Sequence, residues 1–266
     1  MVLGWGDGQG DVLVGNDQIL CETCVRKFFQ NLYSDGFDDM RKINGFLKST
    51  CTPFFLIALV LSSSFSISSG ICEEQQNSKA LDEKVKIFLE TRKGTWHDWN
   101  IPYSDGKILY DLVLKNNYNK ALEIGTSTGH SAIWIAWALS KTGGKLVTVE
   151  IDEDRYKRAL ANFKEAGLSE YIDARLADAH ELVEKLRGPF DFVFVDADKD
   201  WSKNYFTALA PKLEGGGCFT THNARNTGME GIKEFIDYVK GLPNFKTTID
   251  TTSRSGISIS YKMAED

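Results

Sequence analysis

Residues 121–136 read Ala121-Leu-Glu-Ile-Gly125-Thr-Ser-Thr-Gly129-His-Ser131-Ala-Ile-Trp-Ile-Ala136. A short apolar strand runs into a turn with two glycines four apart, and an apolar helix follows. Glycines at that spacing let the backbone turn sharply and come close to a ligand, and the helix N-terminus behind them offers free N–H groups to an anion. The turn is not G-x-G-x-x-G, and no G-K-[ST] follows, so neither a dinucleotide fingerprint nor a P-loop is present.

Outward from this unit the same alternation repeats. Strands are expected at 121–124, 145–150, 171–176, 190–195 and 217–221, and helices at 130–140, 153–166, 179–187, 202–213 and 229–240. Upstream, Ser78 is expected to cap a helix through Leu81, Val85, Phe88 and Leu89 that stops at Gly94. Ser104 is expected to cap a second, over 108–114. Two further strands, 245–250 and 256–261, close the chain. Such alternation predicts an α/β fold: a doubly wound, mostly parallel seven-stranded sheet with an antiparallel edge hairpin.

In these sheets ligands sit beyond the carboxyl ends of the strands, so the residues just after each strand carry the chemistry. The second strand ends in Glu150, where an acid would meet a ribose diol. Asp178-Ala179 follows the third. The fourth ends in Asp196-Ala-Asp198-Lys199-Asp200. This resembles an EF-hand start but has Trp201 at the sixth position and Thr207 at the twelfth, so that reading fails. The fifth ends in Thr221-His222-Asn223. Asp196, His222 and Asn223 can converge there as a metal site, with Lys199 beside them.

The motifs ALEIGTSTGHSA, VTVEID, DFVFVDADKD and GGG-x-x-x-x-HN, in this order, resemble the catechol/caffeoyl-CoA type of class I S-adenosylmethionine-dependent O-methyltransferase over about residues 102–262. The resemblance implies a Rossmann-like methyltransferase fold and S-adenosylmethionine held against Glu123, Gly125, Ser127, Gly129, Ser131, Glu150, Asp178, Ala179 and Asp196. Glu123, Gly125 and Ser131 would face the methionine part, Glu150 the ribose, and Asp178-Ala179 the adenine. It implies Lys199 and Asp196 as catalytic, the lysine as general base and the aspartate as a metal ligand. The acceptor would be a small aromatic hydroxylated molecule, and the enzyme a homodimer. The family pattern has an aspartate where this chain has His222, an oxygen set suited to magnesium. Imidazole moves the preference toward Mn, Zn, Fe or Co. The readings are a retained site with an altered metal, which is the expectation, a weakened magnesium site on Asp196 and Asn223, or no metal. A nicotinamide-dependent oxidoreductase and a non-catalytic, exported S-adenosylmethionine-binding protein are the alternatives.

Other residues carry plainer expectations. His180 is expected on a helix surface, because His180-Glu-Leu-Val-Glu184 lacks the second histidine of a zinc-protease helix. His130 is expected to pack or cap. Trp96, Trp99 and Trp201 could wall an aromatic substrate or serve as packing, and Cys218 reads as a small core residue.

The composition fits a globular protein, with 42% apolar and 26% charged residues among 266. A net charge of −6 argues against a nucleic-acid partner held by bulk electrostatics. Five scattered cysteines do not make a disulfide framework. Charge is uneven: 1–39 hold seven acids and two bases, whereas 40–70 hold Arg41, Lys42 and Lys48 and no acid. Within the basic stretch the apolar run 54–61 leads into a serine-rich segment ending Ser68-Ser-Gly70. These are the parts of a signal peptide, with an uncleaved membrane anchor through 53–71 as the alternative. Residues 1–39, whose opening shows no helix or strand period, are expected to be a non-native or disordered extension ahead of a start at Met40. Cys21-x-x-Cys24 there is expected to be incidental. The organisation expected is therefore 1–39 extension, 40–70 signal or anchor, and 71–266 one O-methyltransferase domain, exported or membrane-anchored, with a cytoplasmic location as the alternative.

Overall fold

The computed structural model describes residues 76–226 and 228–264, together with the backbone of three short strands near the N-terminus. Two compact units are present, Met1–Gly70 and Ile71–Asp266. In the first, β1 (Gly4–Trp5), β2 (Asp11–Val14) and β3 (Gln18–Cys21) form an antiparallel sheet in the order β1-β2-β3. Of the opening, residues 1–11, expected to show no strand period, Gly4–Trp5 and Asp11 belong to this sheet. Asp11-Val-Leu-Val14 pairs antiparallel with Gln18-Ile-Leu-Cys21, Val14 opposite Gln18 and Asp11 opposite Cys21. Cys24 and the predicted signal segment, 40–70, lie outside the described residues. Among the described residues, no helix is long and apolar enough to cross a membrane.

In the second unit, α1 (76–91) and α2 (Tyr103–Asn116) precede the alternating series. The series is β4 (Lys120–Ile124), α3 (His130–Thr142), β5 (Lys145–Glu150), α4 (Glu153–Ala166), β6 (Ile172–Leu176), α5 (Ala179–Lys185), β7 (Phe190–Val195), α6 (Ser202–Leu209), β8 (Leu213–His222) and α7 (Glu230–Lys240). β9 (Phe245–Asp250) and β10 (Ile257–Lys262) end it. The seven strands lie in the order β6-β5-β4-β7-β8-β10-β9. All neighbours are parallel except β10, which is antiparallel to both β8 and β9. The predicted fold class is therefore the observed one, and its last strand folds back between β8 and the edge.

Several boundaries differ for identifiable reasons. The α1 helix is already running at residue 76, so Ser78 is inside it and not its cap. Pro102, not Ser104, starts α2: the Pro102 carbonyl accepts the N–H groups of Asp105 and Gly106. The α6 helix stops at Leu209 because Pro211 offers no N–H, and a tight turn at Ala210–Lys212 replaces its last part. The strand expected at 217 begins at Leu213, which pairs with Phe190; the next pair is Phe192 with Cys218, so residues 214–217, with their three glycines, bulge out of the ladder between them.

Alternation along the strands makes two cores. Phe192 and Phe194 of β7 face α1–α4 with Leu89, Leu109, Val113, Ile133 and Phe163. Val193 and Val195 face the other layer with Leu122, Ile124, Phe206, Phe219 and Phe235. There Phe206 meets Phe219 at 5.0 Å and Phe245 at 4.9 Å between ring centroids, both edge to face. The α3 helix is buried from His130 to Leu139, being covered on every side, which explains its lack of a polar face. Cys218 is a fully buried core residue of β8, as expected.

Candidate active site

A cavity of about 710 Å³ opens at the carboxyl ends of β4 to β8, the position the sheet topology dictates. Its wall contains Gly125, Ser127, Glu150, Asp178, Ala179, Asp196, Lys199, His222 and Asn223. These predicted residues come from five loops and are brought together. Glu123, Gly129 and Ser131 are not on that wall. Glu123 points from β4 into the layer under α3, where it is fully buried and accepts a hydrogen bond from the Thr148 hydroxyl. Burial pushes its carboxyl up to about 8, only partly opposed by hydroxyl hydrogen bonds. Gly129 serves packing: a Cβ there would stand 2.5 Å from the Phe163 ring.

Gly125 is required by the site itself. Its φ is +96°, and a Cβ would lie 2.5 Å from the Asp196 carbonyl oxygen. Asp196 N–H also donates to the Ile124 carbonyl at 2.8 Å. The glycine turn and the acidic loop after β7 are thus in direct backbone contact. Glu150 fixes the other side of the turn. Its Oε2 accepts the Ser127 N–H at 2.7 Å, and Oε1 accepts those of Ile151 and Asp152 at 3.1 and 2.9 Å. A carboxylate has about four acceptor positions, so Oε2 keeps capacity for a ligand hydroxyl. Asp178 caps α5 by accepting the His180 N–H at 2.8 Å.

From the acidic loop four side chains form a chain of charges. Lys199 is paired with Asp196 Oδ1. Asp196 Oδ2 lies 3.2 Å from His222 Nδ1, and His222 Nε2 lies 2.8 Å from Asp105 Oδ2. Asp105 comes from the first turn of α2 and is completely buried. Burial alone would lower the His222 pKa. Hydrogen bonds to Asp105 and Asp196 and the charge of Asp196 outweigh it and hold the imidazole up at about 9. Burial works against the Asp196 carboxylate as well, and Lys199 and His222 overcome it to keep that group below its ordinary value.

Asp105 was not singled out in the sequence. The signal was there: 105, 109, 112 and 113 form the buried stripe of α2, and an acid occupying the first of those positions needs a partner.

This arrangement is not a metal-ligand set. A histidine binds metal through a free ring lone pair, and both His222 nitrogens face carboxylates. Each Asp196 oxygen also has a cationic partner, Lys199 on Oδ1 and His222 on Oδ2. Among the described residues no group of three or more His, Cys, Asp or Glu is placed to hold a metal. The expected trio of Asp196, His222 and Asn223 shares the cavity wall, with His222 turned to the two carboxylates.

The remaining aromatic and histidine residues divide clearly. His180, expected on a helix surface, lines the cavity and packs against Trp201 with ring centroids 4.0 Å apart and planes tilted by 34°. His130 is structural: it bridges the Ile101 carbonyl and the Trp134 indole N–H, and burial lowers its pKa to about 4. Trp96 stacks on His130 at 4.4 Å. Trp99 alone of the three tryptophans lines the cavity, 86% exposed at its mouth. Its segment is fastened to the glycine turn by Ser127 donating to the Asp98 carbonyl and Asn100 donating to Thr128 at 2.7 Å.

The sheet order and the cavity beyond its carboxyl ends define a Rossmann-like ligand-binding α/β protein. Residues 73–235 match the family model described as O-methyltransferase, and the chain belongs to that family. It is 35% identical over 147 residues to caffeoyl-CoA O-methyltransferase 1 of Eucalyptus globulus, covering 53% of this chain and 59% of that protein. It is 39% identical over 164 residues to a catechol O-methyltransferase of Niastella koreensis, covering 56% and 72%. The match thus spans less than two thirds of the length of the plant relative. Among solved structures, an O-methyltransferase from Bacillus cereus in complex with SAH superposes with a TM-score of 0.58 at 26% identity, over 69% of this chain and 90% of that one. TomG from Streptomyces achromogenes, in complex with SAM, gives 0.59 at 25%, over 70% and 90%.

Proposed function

We propose that the domain transfers the methyl group of S-adenosylmethionine to a hydroxyl of a small aromatic, catechol-like acceptor. The observation that carries this is the one cavity wall that holds Gly125, Ser127, Glu150 and Asp178-Ala179 together with Asp196, Lys199 and His222. The first group suits a nucleoside cofactor: Glu150 offers a spare oxygen to a ribose diol, and the turn keeps backbone against the amino-acid part. Matching relatives are named as caffeoyl-CoA and catechol O-methyltransferases, and structural neighbours hold SAM or SAH.

The chemistry is an in-line displacement. The acceptor oxygen attacks the sulfonium methyl, the C–S bond breaks with its electron pair going to sulfur, and the hydroxyl proton must leave. Among the described residues of the cavity wall Lys199 is the one amine; once it has released its own proton to solvent, the neutral amine takes the hydroxyl proton, with Asp196 holding its Nζ in place. His222 adds positive charge where the oxygen becomes negative, and the shared cavity wall brings donor and acceptor together. Trp99 at the mouth offers a flat apolar face to an aromatic ring. The divalent cation of the family resemblance has no part in these steps, since the side chains present do not form its ligand set.

Calorimetric titration of the full chain with S-adenosylmethionine, followed by mass detection of methylated products from a panel of catechols, tests the proposal. Micromolar binding with catechol-dependent product formation is expected. Absence of S-adenosylmethionine binding would overturn it, and binding without turnover would leave only cofactor binding. By the same likeness and the charge pattern of 40–70, the proposal extends to a homodimer that is exported or anchored, to be read by light scattering and cell fractionation.

A further inference from the structure

A different charge count distinguishes this site from one built around a divalent cation. Asp105 and Asp196 bring two negative charges, and Lys199 brings one positive. If residue 222 were a third carboxylate, the cluster would be left with two uncompensated negative charges, which a divalent cation would neutralise. With an imidazolium at 222 the four side chains balance among themselves. Burial makes this balance matter: Asp105 has no exposed surface and His222 only 5%, and isolated buried charge is strongly disfavoured.

The contacts agree with the count. His222 Nε2 is hydrogen-bonded to Asp105 Oδ2 at 2.8 Å, and Nδ1 lies 3.2 Å from Asp196 Oδ2, so each ring nitrogen faces a carboxylate oxygen. An imidazolium is the ring state that presents an N–H to both carboxylates, and in that state neither nitrogen has a lone pair to offer. Asp105 is no accident of a loop. It is set in the first turn of α2 by the Pro102 carbonyl, and its helix packs against α3 through Leu109, Leu112 and Val113.

We propose that His222, clamped between Asp105 and Asp196, replaces the divalent cation with its own charge, so that the site neither binds nor needs one. This rests on the methyl-transfer reading for what the charge is used for, but not for whether a cation binds. Asp105 is then a positioning residue. It touches no substrate, and it fixes which way the histidine's charge faces the cavity.

The test uses the full chain, stripped with EDTA, and Mn²⁺ as the probe, read by electron paramagnetic resonance. Binding of S-adenosylhomocysteine is measured on the same preparation. Wild type is expected to show no stoichiometric Mn²⁺ site below millimolar concentration, and its methyl transfer is expected to change less than two-fold with EDTA. His222→Asp is expected to gain one Mn²⁺ per chain at least ten-fold more tightly, and adding Asp196→Asn is expected to remove that gain. One micromolar Mn²⁺ site in wild type, abolished by Asp196→Asn, would overturn the proposal. So would a His222→Asp protein that binds S-adenosylhomocysteine normally yet gains no Mn²⁺. If His222→Asp does not fold, the wild-type titration decides alone. Failure of wild type to bind S-adenosylhomocysteine would count against the methyl-transfer reading, and the Mn²⁺ result would still decide this one.

Discussion

Replacing Asp105 by Asn keeps the shape of the side chain and removes its charge, and the consequence can be worked out as a function of pH. In the folded protein the His222 pKa stands at about 9, against 6.5 for an ordinary histidine. A raised histidine contributes stability that is fully present below about pH 6.5, fades as pH rises, and is gone above about 9. That interval is worth about 3 kcal/mol at about 1.4 kcal/mol for each pH unit. Breaking a buried ion pair from one side costs about 3–5 kcal/mol, and the two figures agree. Asp196 shares in that shift and stays in the variant, so Asp105→Asn should lose up to about 3 kcal/mol at pH 6 and less than about 1 kcal/mol at pH 10, where the neutral ring can still donate to the amide oxygen. Guanidinium unfolding at a series of pH values, followed through the fluorescence of buried Trp134 and Trp137, reads both numbers. A loss of equal size at pH 6 and pH 10 would refute the claim that a charge, and not merely a hydrogen bond, joins α2 to β8.

Gly125→Ala places a methyl 2.5 Å from the Asp196 carbonyl at a φ of +96°. It should cost about 1–3 kcal/mol and weaken S-adenosylhomocysteine binding more than ten-fold by calorimetry; unchanged affinity would remove the turn from the cofactor site. Glu150→Ala frees three backbone N–H groups. At about 1.5–3 kcal/mol for hydrogen bonds to a charged group, S-adenosylhomocysteine affinity should fall roughly ten- to a hundred-fold. Trp99→Ala removes an 86% exposed side chain. Stability should stay within about 0.5 kcal/mol while the acceptor KM rises and the donor KM does not; equal changes in both would place Trp99 outside the acceptor's path.

The strands and helices that built the sheet were legible because each carried its own period. Phe190–Val195 alternates between two buried faces, and Glu153–Ala166 is bracketed by the cap Asp152 and by Gly167. The local signals failed where a neighbour supplied the missing information. Ser104 has the chemistry of a cap, yet the carbonyl of Pro102 starts the helix. The strand ends named the cavity wall well, since topology alone sends Glu150, Asp196 and His222 to one edge. Which of those side chains bond to one another is a three-dimensional matter. The Asp105–His222 contact joins residues 117 apart, and no spacing rule reaches that far. Glu123 shows the converse: it sits at the right place along the chain, but the two-residue period of β4 turns it away from the cavity.

The order of the sheet also bears on how the protein is made. The strand written last, β10, lies inside the sheet, and its Ile257 pairs with His222. While the chain is being synthesised, β8 therefore waits with an open edge until residues 257–262 emerge from the ribosome. A message truncated before Ile257 would still encode every residue assigned to the cavity wall. Its product would nevertheless present an unpaired, apolar strand edge, the kind of surface that recruits other chains. Such truncations should yield aggregate and not a weakened enzyme.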